Sequence, residues 1–332
     1  MIYLHGLGHF HPENEITNRF LEELDIGTSD EWILERVGIR SRRTTLPLDY
    51  IRETRNREPR AALEVAEYSN AELAARAARL AITRAGIELS DIGMLICGSS
   101  APDTVTPAEA CNVAKELGLE VPAFDINSAC TSFFAGIYTL SLMQPDRLPG
   151  FVLLVTPEPL SRTVDYDDRA SAVLWGDAAA AAVLSTQVPA RARILGSRLV
   201  SSPAGADKVV VPRLGHFRQD GRAVQMFAIK KTAEMFDGLR AEYDDPDRQL
   251  HFVGHQANKL VLEQVCRRCD IPEERHHYNV EWYGNTAGSS VPSVVSMRWD
   301  KWKPGDDVAL IGVGAGLSWA SCLLRFDGEP SQ

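Results

Sequence analysis

The sequence predicts an α/β protein with a largely buried sheet, on three observations. Short apolar runs bounded by turns alternate with longer segments of helical spacing, which is the pattern of layered helices and strands. The chain has 332 residues, enough for two compact units or one duplicated domain at about 150 residues each. Hydrophobic residues make up 45% and charged residues 24%, a globular composition that argues against disorder, collagen-like repeats and coiled coils.

Taken in order, residues 1–10 have no basic leader and only a brief apolar stretch, so they predict a first strand and not a signal peptide. The periodic segment 70–85 predicts a helix, and the short runs 94–97, 123–126, 151–156 and 178–184 predict strands. Residues 131–143 predict an amphipathic helix directly after a strand and a small-residue turn. A Gly/Pro/Ser-bearing stretch at 186–203 restarts the pattern, with helices expected at 227–239 and 259–268 and strands at 251–253, 308–313 and 320–326. The expected division is 1–190 and 191–332, two halves of similar layout with no residue-level repeat.

The longest apolar stretch, 170–184, is broken by Gly176 and Asp177, so no membrane span is expected. Six cysteines in a chain of this length without a secretory signal predict reduced thiols and a cytoplasmic protein. The net charge of −10 disfavours nucleic-acid binding. Against it, residues 36–60 hold eight arginines and only Asp49, Glu53 and Glu58 as acids, which suggests either an anionic partner or a solvated face with scattered ion pairs.

Four pieces carry candidate chemistry. Cys130 falls at the expected helix start, where unpaired N–H groups and the helix dipole favour the nucleophilic thiolate. A buried structural cysteine is the other reading at this level. His255 follows a strand that ends in Gly254, at a strand carboxyl end where α/β folds build their sites, or else serves only the core. Asn285 lies in a small-residue loop that opens a further helix. The loop Gly314, Ala315, Gly316 lacks the strand–turn–helix context and downstream acid of a dinucleotide site, and suits backbone N–H groups brought close to a reacting oxygen.

The order Cys130, His255, Asn285, in the motifs SAC, GHQAN, GNTAGSSVP and the terminal GVGAGLSWA, resembles β-ketoacyl-acyl-carrier-protein synthase III and its thiolase-fold relatives. The likeness extends to residues 28–40 (TSDEWILERVGIR) and 175–178 (WGDA), and so covers nearly the whole chain. It implies a duplicated five-layered α-β-α-β-α thiolase-like fold, a homodimer, and thioester chemistry without a metal or tightly bound cofactor. Acyl-CoA and a malonyl thioester are the implied substrates and an acyl carrier protein the implied partner. Cys130 would carry the acyl group, with its own N–H and one from the Gly314-Ala315-Gly316 turn holding the oxyanion. His255 and Asn285 would donate to the enolate formed when the malonyl group loses CO2. A same-fold acyltransferase that forms no carbon–carbon bond and a non-catalytic partner subunit are the alternatives.

The resemblance further assigns Trp32, Arg36, Arg162 and Asn258 to the CoA nucleotide and pantetheine. Thr106 stands where the family closes its acyl pocket, and its small side chain implies room for medium or longer acyl groups. Two departures are Leu260, where the family often carries a basic residue, and a longer 47–69 segment that contains Arg52, Arg55, Arg57 and Arg60. Elsewhere, the lone Cys266-x-x-Cys269 pair predicts neither zinc nor redox chemistry. His5, His9 and His11 are expected on different faces, His276 and His277 at the surface, and Cys97, Cys111 and Cys322 in the core.

Overall fold

A computed structural model describes residues 1–213 and 215–328. Its centre is one nine-stranded sheet built from β1 (Ile2–Phe10), β2 (Ile92–Cys97), β3 (Ala123–Asp125), β4 (Phe151–Pro159), β5 (Asp177–Ser185), β6 (Ala192–Ser201), β7 (Gln249–Gly254), β8 (Asp306–Gly314) and β9 (Ser318–Phe326). The spatial order is β7-β8-β9-β6-β1-β5-β4-β2-β3. From β1 outward, β5 and β4 pair antiparallel and β2 joins parallel; from β6 outward, β9 and β8 pair antiparallel and β7 joins parallel. The same pairing pattern thus runs away from the β1–β6 junction in both directions. Residue 190 falls in the connection between β5 and β6.

Alternation along the strands sets the layers, because successive side chains leave a strand on opposite faces. In β4, Leu153 and Val155 pack with α1 (Asn70–Ala85) and α2 (Glu109–Leu117), whereas Val152 and Leu154 pack with Phe133, Phe134 and Ile137 of α3 (Ser132–Leu142). In β8, Val308 and Leu310 face the same middle layer, which α6 (Ser290–Met297) completes. Ala309 and Ile311 face outward toward α4 (Gly221–Tyr243) and α5 (Lys259–Arg268). The two halves of the sheet pack against the same middle helices, so that helices, half-sheet, helices, half-sheet, helices make five layers, as the duplicated thiolase-like fold requires.

Local sequence explains the closest contacts. Strand β5 reads DAAAAAVLS and every residue is buried, so small side chains let helices approach both faces. Helix α1 starts on a Ser69/Glu72 capping box and ends at Gly86 in the left-handed conformation. Its alanine face lies directly on β1, where a Cβ on Gly8 would come within 1.9 Å of the Ala77 carbonyl oxygen.

Two expectations are corrected here and one strand is added. Helix α3 is buried on nearly all sides over its first two turns instead of being amphipathic, because it is enclosed between two sheet surfaces. The 186–203 stretch carries the ten-residue strand β6, whose pairing with β1 and β9 joins the halves into one sheet. His9 and His11, expected on different faces, have ring centroids 5.8 Å apart, since positions two apart share a face in extended chain.

Candidate active site

The nucleophile candidate sits on a tight turn between β3 and α3. Ala129 takes φ = +49°, and the turn is held by the Asn127 side-chain oxygen accepting from Ala129 N–H at 2.9 Å and Ser132 Oγ accepting from Ser128 N–H at 2.9 Å. Thr131 Oγ1 meets Ser318 Oγ of β9 at 2.9 Å, fastening the turn to the opposite half of the molecule. Gly314 presses on the other side, where an added Cβ would stand 3.1 Å from Cys130 Cβ. Burial pushes the Cys130 thiol up to about 12, the buried Glu158 carboxyl adds to it, and the backbone N–H groups of Cys130 and Ala315 pull the other way. The resting group is therefore a thiol, against the thiolate expected from a helix start. Desolvation outweighs the dipole here, and the helix proper begins only at Ser132.

His255 follows β7 and is 7% exposed. Burial lowers its pKa to about 4, so the imidazole is neutral. Its Nδ1 lies 2.8 Å from Ser290 Oγ, which also accepts from Gln256 N–H at 3.4 Å. In the tautomer with the imidazole proton on Nε2, Ser290 Oγ donates to Nδ1 and the Nε2–H is the ring group left for the cavity. Asn285 is held similarly: its Oδ1 accepts from Ala287 N–H at 3.0 Å, leaving the Nδ2 amide group as the free donor. Its backbone bonds Leu174 and Gly176 across the Trp175 bridge.

A repeat missed in the sequence becomes plain in the structure. Residues 127–132 read NSACTS and 285–290 read NTAGSS. Each runs Asn side chain to the N–H two residues on, a left-handed alanine (φ +49° at Ala129, +44° at Ala287), a single 3₁₀ turn, and then a middle-layer helix. Cys130 and Gly288 occupy equivalent positions, as do Ser132 and Ser290. Six residues with exchanges at three positions, two of them Ser/Thr, fall below what a search for long repeats detects.

Cys130, His255, Asn285, Gly314 and Ala315 line one narrow cavity of about 60 Å³, walled by Trp175, Phe217, Phe227 and Leu317. A larger surface cleft of about 600 Å³ beside Cys266 and His276 touches none of these groups. The small cavity is the candidate site because three polar side chains separated by up to 155 positions converge on it inside an apolar wall. Gly316 sits between the lining residues Ala315 and Leu317 without itself lining the cavity.

The other expected binding residues fare unequally. Trp32 is half-buried, with the Arg36 guanidinium 4.4 Å and the Arg169 guanidinium 5.0 Å from its ring centroid, so an aromatic and cationic edge exists there; Arg169 was not singled out from the sequence. Arg162 is 4% exposed and pairs with Asp103 at 2.7 Å, so its guanidinium is already committed within the fold. Asn258 caps α5, its Oδ1 accepting from Leu260 and Val261 and its Nδ2 donating to Arg36 O. Thr106 is exposed and does not line the cavity.

The basic stretch is largely internally matched. Arg42 is fully buried on Asn18 and Val173, Arg55 and Arg57 share Asp167, Arg40 meets Glu281 and Arg52 meets Asp49. Much of its charge is answered by carboxylates distant in sequence. His277 is buried against His251 and Trp302, because the chain after α5 turns back under β7, and Cys111 is exposed on the outer face of α2. Among the described residues no group of three or more His, Cys, Asp or Glu is placed to hold a metal, and no helix is long and apolar enough to cross a membrane.

Residues 124–203 match the family described as 3-oxoacyl-[acyl-carrier-protein (ACP)] synthase III, and residues 244–326 match its C-terminal part. The chain is 32% identical to the β-ketoacyl-[acyl-carrier-protein] synthase III of Oceanobacillus iheyensis, over 97% of each chain. It is 34% identical to that of a Nostoc species, over 98% of each. The crystal structure of 3-oxoacyl-[acyl-carrier-protein] synthase III from Aquifex aeolicus superposes with a TM-score of 0.85 at 28% identity, covering 98% of this chain and 100% of that one.

Proposed function

The chain belongs to the 3-oxoacyl-[acyl-carrier-protein] synthase III family, and from that premise we propose that it condenses an acyl thioester with a malonyl thioester, with loss of CO2, through an acyl group carried on Cys130. The observation that carries the proposal is the convergence of a buried thiol, a neutral imidazole and a free carboxamide N–H on one apolar cavity.

In the first half, Cys130 Sγ attacks the carbonyl carbon of acyl-CoA. The carbon–sulfur bond to Cys130 forms, the bond to CoA breaks, and the thiol proton leaves with the CoA thiol. The N–H groups of Cys130 and Ala315, both of which act on the sulfur, are aimed at the position where the carbonyl oxygen gains charge. In the second half, a malonyl thioester, carried in this proposal by acyl carrier protein, enters the vacated space. Its carboxylate leaves as CO2 and the electron pair moves onto the thioester oxygen, toward His255 Nε2–H and Asn285 Nδ2–H. The enolate carbon then attacks the acyl carbon, the carbon–sulfur bond to Cys130 breaks, and the departing thiolate takes up one proton from solvent to restore the resting thiol. Neutrality of His255 suits a hydrogen-bond donor to a developing enolate.

No tightly bound cofactor enters this chemistry. The proposed enzyme is a cytoplasmic homodimer, and the exposed segment around Val105 and Thr106 is where a partner would lie. Trp32, Arg36 and Arg169 supply stacking and charge for the CoA nucleotide at the rim, whereas Arg162 and Asn258 shape the wall from within.

The test is product identity. Wild-type enzyme given acyl-CoA and malonyl-acyl-carrier-protein is expected to release CO2 and a β-ketoacyl thioester lengthened by two carbons. Acyl transfer to the carrier without CO2 would replace condensation by simple acyltransfer, and no turnover with any donor would leave a non-catalytic subunit.

A further inference from the structure

The repeated turn exposes an asymmetry around Glu158. In the first copy, the N–H at the Cys130 position is free to act on the sulfur, and the Gly314–Ala315 loop after β8 packs against it. In the second copy, the equivalent N–H belongs to Gly288, and the segment packed against it is the end of β4, which stands to the first half as β8 stands to the second. There the space holds a carboxyl group. Gly288 N–H donates to Glu158 Oε1 at 3.1 Å, and a Cβ on Gly288 would lie 2.8 Å from that same oxygen.

Glu158 is wholly buried, and among the described residues no arginine or lysine pairs with it. Its remaining bonds go to Ser100, whose N–H donates to Oε2 at 2.8 Å and whose hydroxyl donates to Oε1 at 3.1 Å. A buried acid without a counter-cation is an expensive group to retain. It does not line the cavity, so it has no contact with substrate. What it holds is the strained turn that aims Asn285: Ala287 sits at φ = +44°, and its N–H fixes the Asn285 side-chain oxygen at 3.0 Å. A non-glycine residue in that region persists only when its surroundings over-determine it. The Glu158 bond to the very next N–H, with Ser289 Oγ bonded to the Thr156 and Ala178 carbonyls, supplies the constraint.

Resting on the condensing function proposed above, we infer that Glu158 is a positioning residue for the decarboxylating half of the reaction, filling the duplicate of the oxyanion pocket and thereby orienting the Asn285 amide toward the enolate oxygen. The Cys130 turn is braced separately by Asn127, Ser132 and Ser318. Glu158 thus touches acyl loading only through its charge near the Cys130 thiol, whereas condensation depends on it for the placement of Asn285.

The test is a double-mutant cycle on the full chain with Glu158→Ala, Asn285→Ala and the pair, reading acyl-Cys130 by intact mass and β-ketoacyl product separately. Glu158→Ala is expected to keep acyl loading within a few fold while condensation drops on the order of 100-fold, the scale of a misplaced catalytic group. In the Asn285→Ala background the same change is expected to add almost nothing, as for two residues acting through one group. Glu158→Gln, which keeps the acceptor for Gly288 and the volume, is expected to recover part of the loss, and it replaces Glu158→Ala in the cycle if the alanine variant does not fold. Additive losses, or equal losses in both half-reactions, overturn the inference while leaving the condensing function standing. A wild type that loads acyl groups but makes no β-ketoacyl product overturns both.

Discussion

At the scale of single residues, Ser290 Oγ pairs with His255 Nδ1 at 2.8 Å. In the Nε2–H tautomer that the proposed function requires, Ser290 donates to Nδ1, so replacing it by alanine removes that donor and frees the imidazole to place its proton on Nδ1. Ser290→Ala is expected to slow condensation by roughly 10-fold, the rate equivalent of about one neutral hydrogen bond, while acyl loading persists and Ser290→Thr restores part of the rate. Unchanged condensation would leave the tautomer to other groups. His255 also ties stability to pH: its folded pKa of about 4 lies below the ordinary 6.5, so the unfolded chain binds more protons between those values, and this contribution is lost as pH falls through that window. Cys130, His255 and Asn285 were legible because each sits in a motif of its own. Ser290 stands inside one of those motifs, yet its role depends on a partner 35 positions away. Arg162 shows the converse, since the family resemblance assigns it to CoA and only the fold reveals Asp103 as its partner.

At the scale of elements, periodicity located most helices and strands, and α1 and α5 coincide with their expected limits. It failed where burial departs from a simple face. Helix α3 has no solvent side over its first turns to produce a stripe, and β6 carries Arg193 and Arg198 on a partly exposed surface, which hides its alternation behind a Gly/Pro/Ser-bearing context. The packing of α1 on β1 makes its own prediction. Gly8→Ala would force a Cβ to 1.9 Å from the Ala77 carbonyl, whereas Gly150 has nothing within 4 Å of an added Cβ. Gly8→Ala is expected to destabilise the fold by about 3 kcal/mol or more, read as a lowered Tm or urea midpoint, with Gly150→Ala near the wild type. Equal midpoints for both variants would mean that the helix moves away from the strand at little cost.

At the scale of the whole molecule, duplication is what brings the chemistry together. Each half delivers one copy of the same strained turn to the middle layer, one bearing a thiol and the other a carboxamide, and the loop after β8 reaches across to the first. The layered architecture follows from alternating burial and was accessible from the resemblance of a few motifs. The two-fold relation of the turns was not, because three of six residues differ and the identity lies in geometry. The net charge of −10 and the internally paired arginines likewise take meaning only once partners distant in sequence are in place. The division of labour between the two turns is tested most directly by measuring acyl-enzyme formation and β-ketoacyl release side by side in wild type, Cys130→Ala, His255→Ala and Asn285→Ala. Cys130→Ala is expected to form no adduct, and His255→Ala and Asn285→Ala to load normally while losing about 100-fold or more in condensation, as for a deleted oxyanion donor. An adduct on Cys130→Ala, or equal loss of both half-reactions in the His255 and Asn285 variants, would contradict that division.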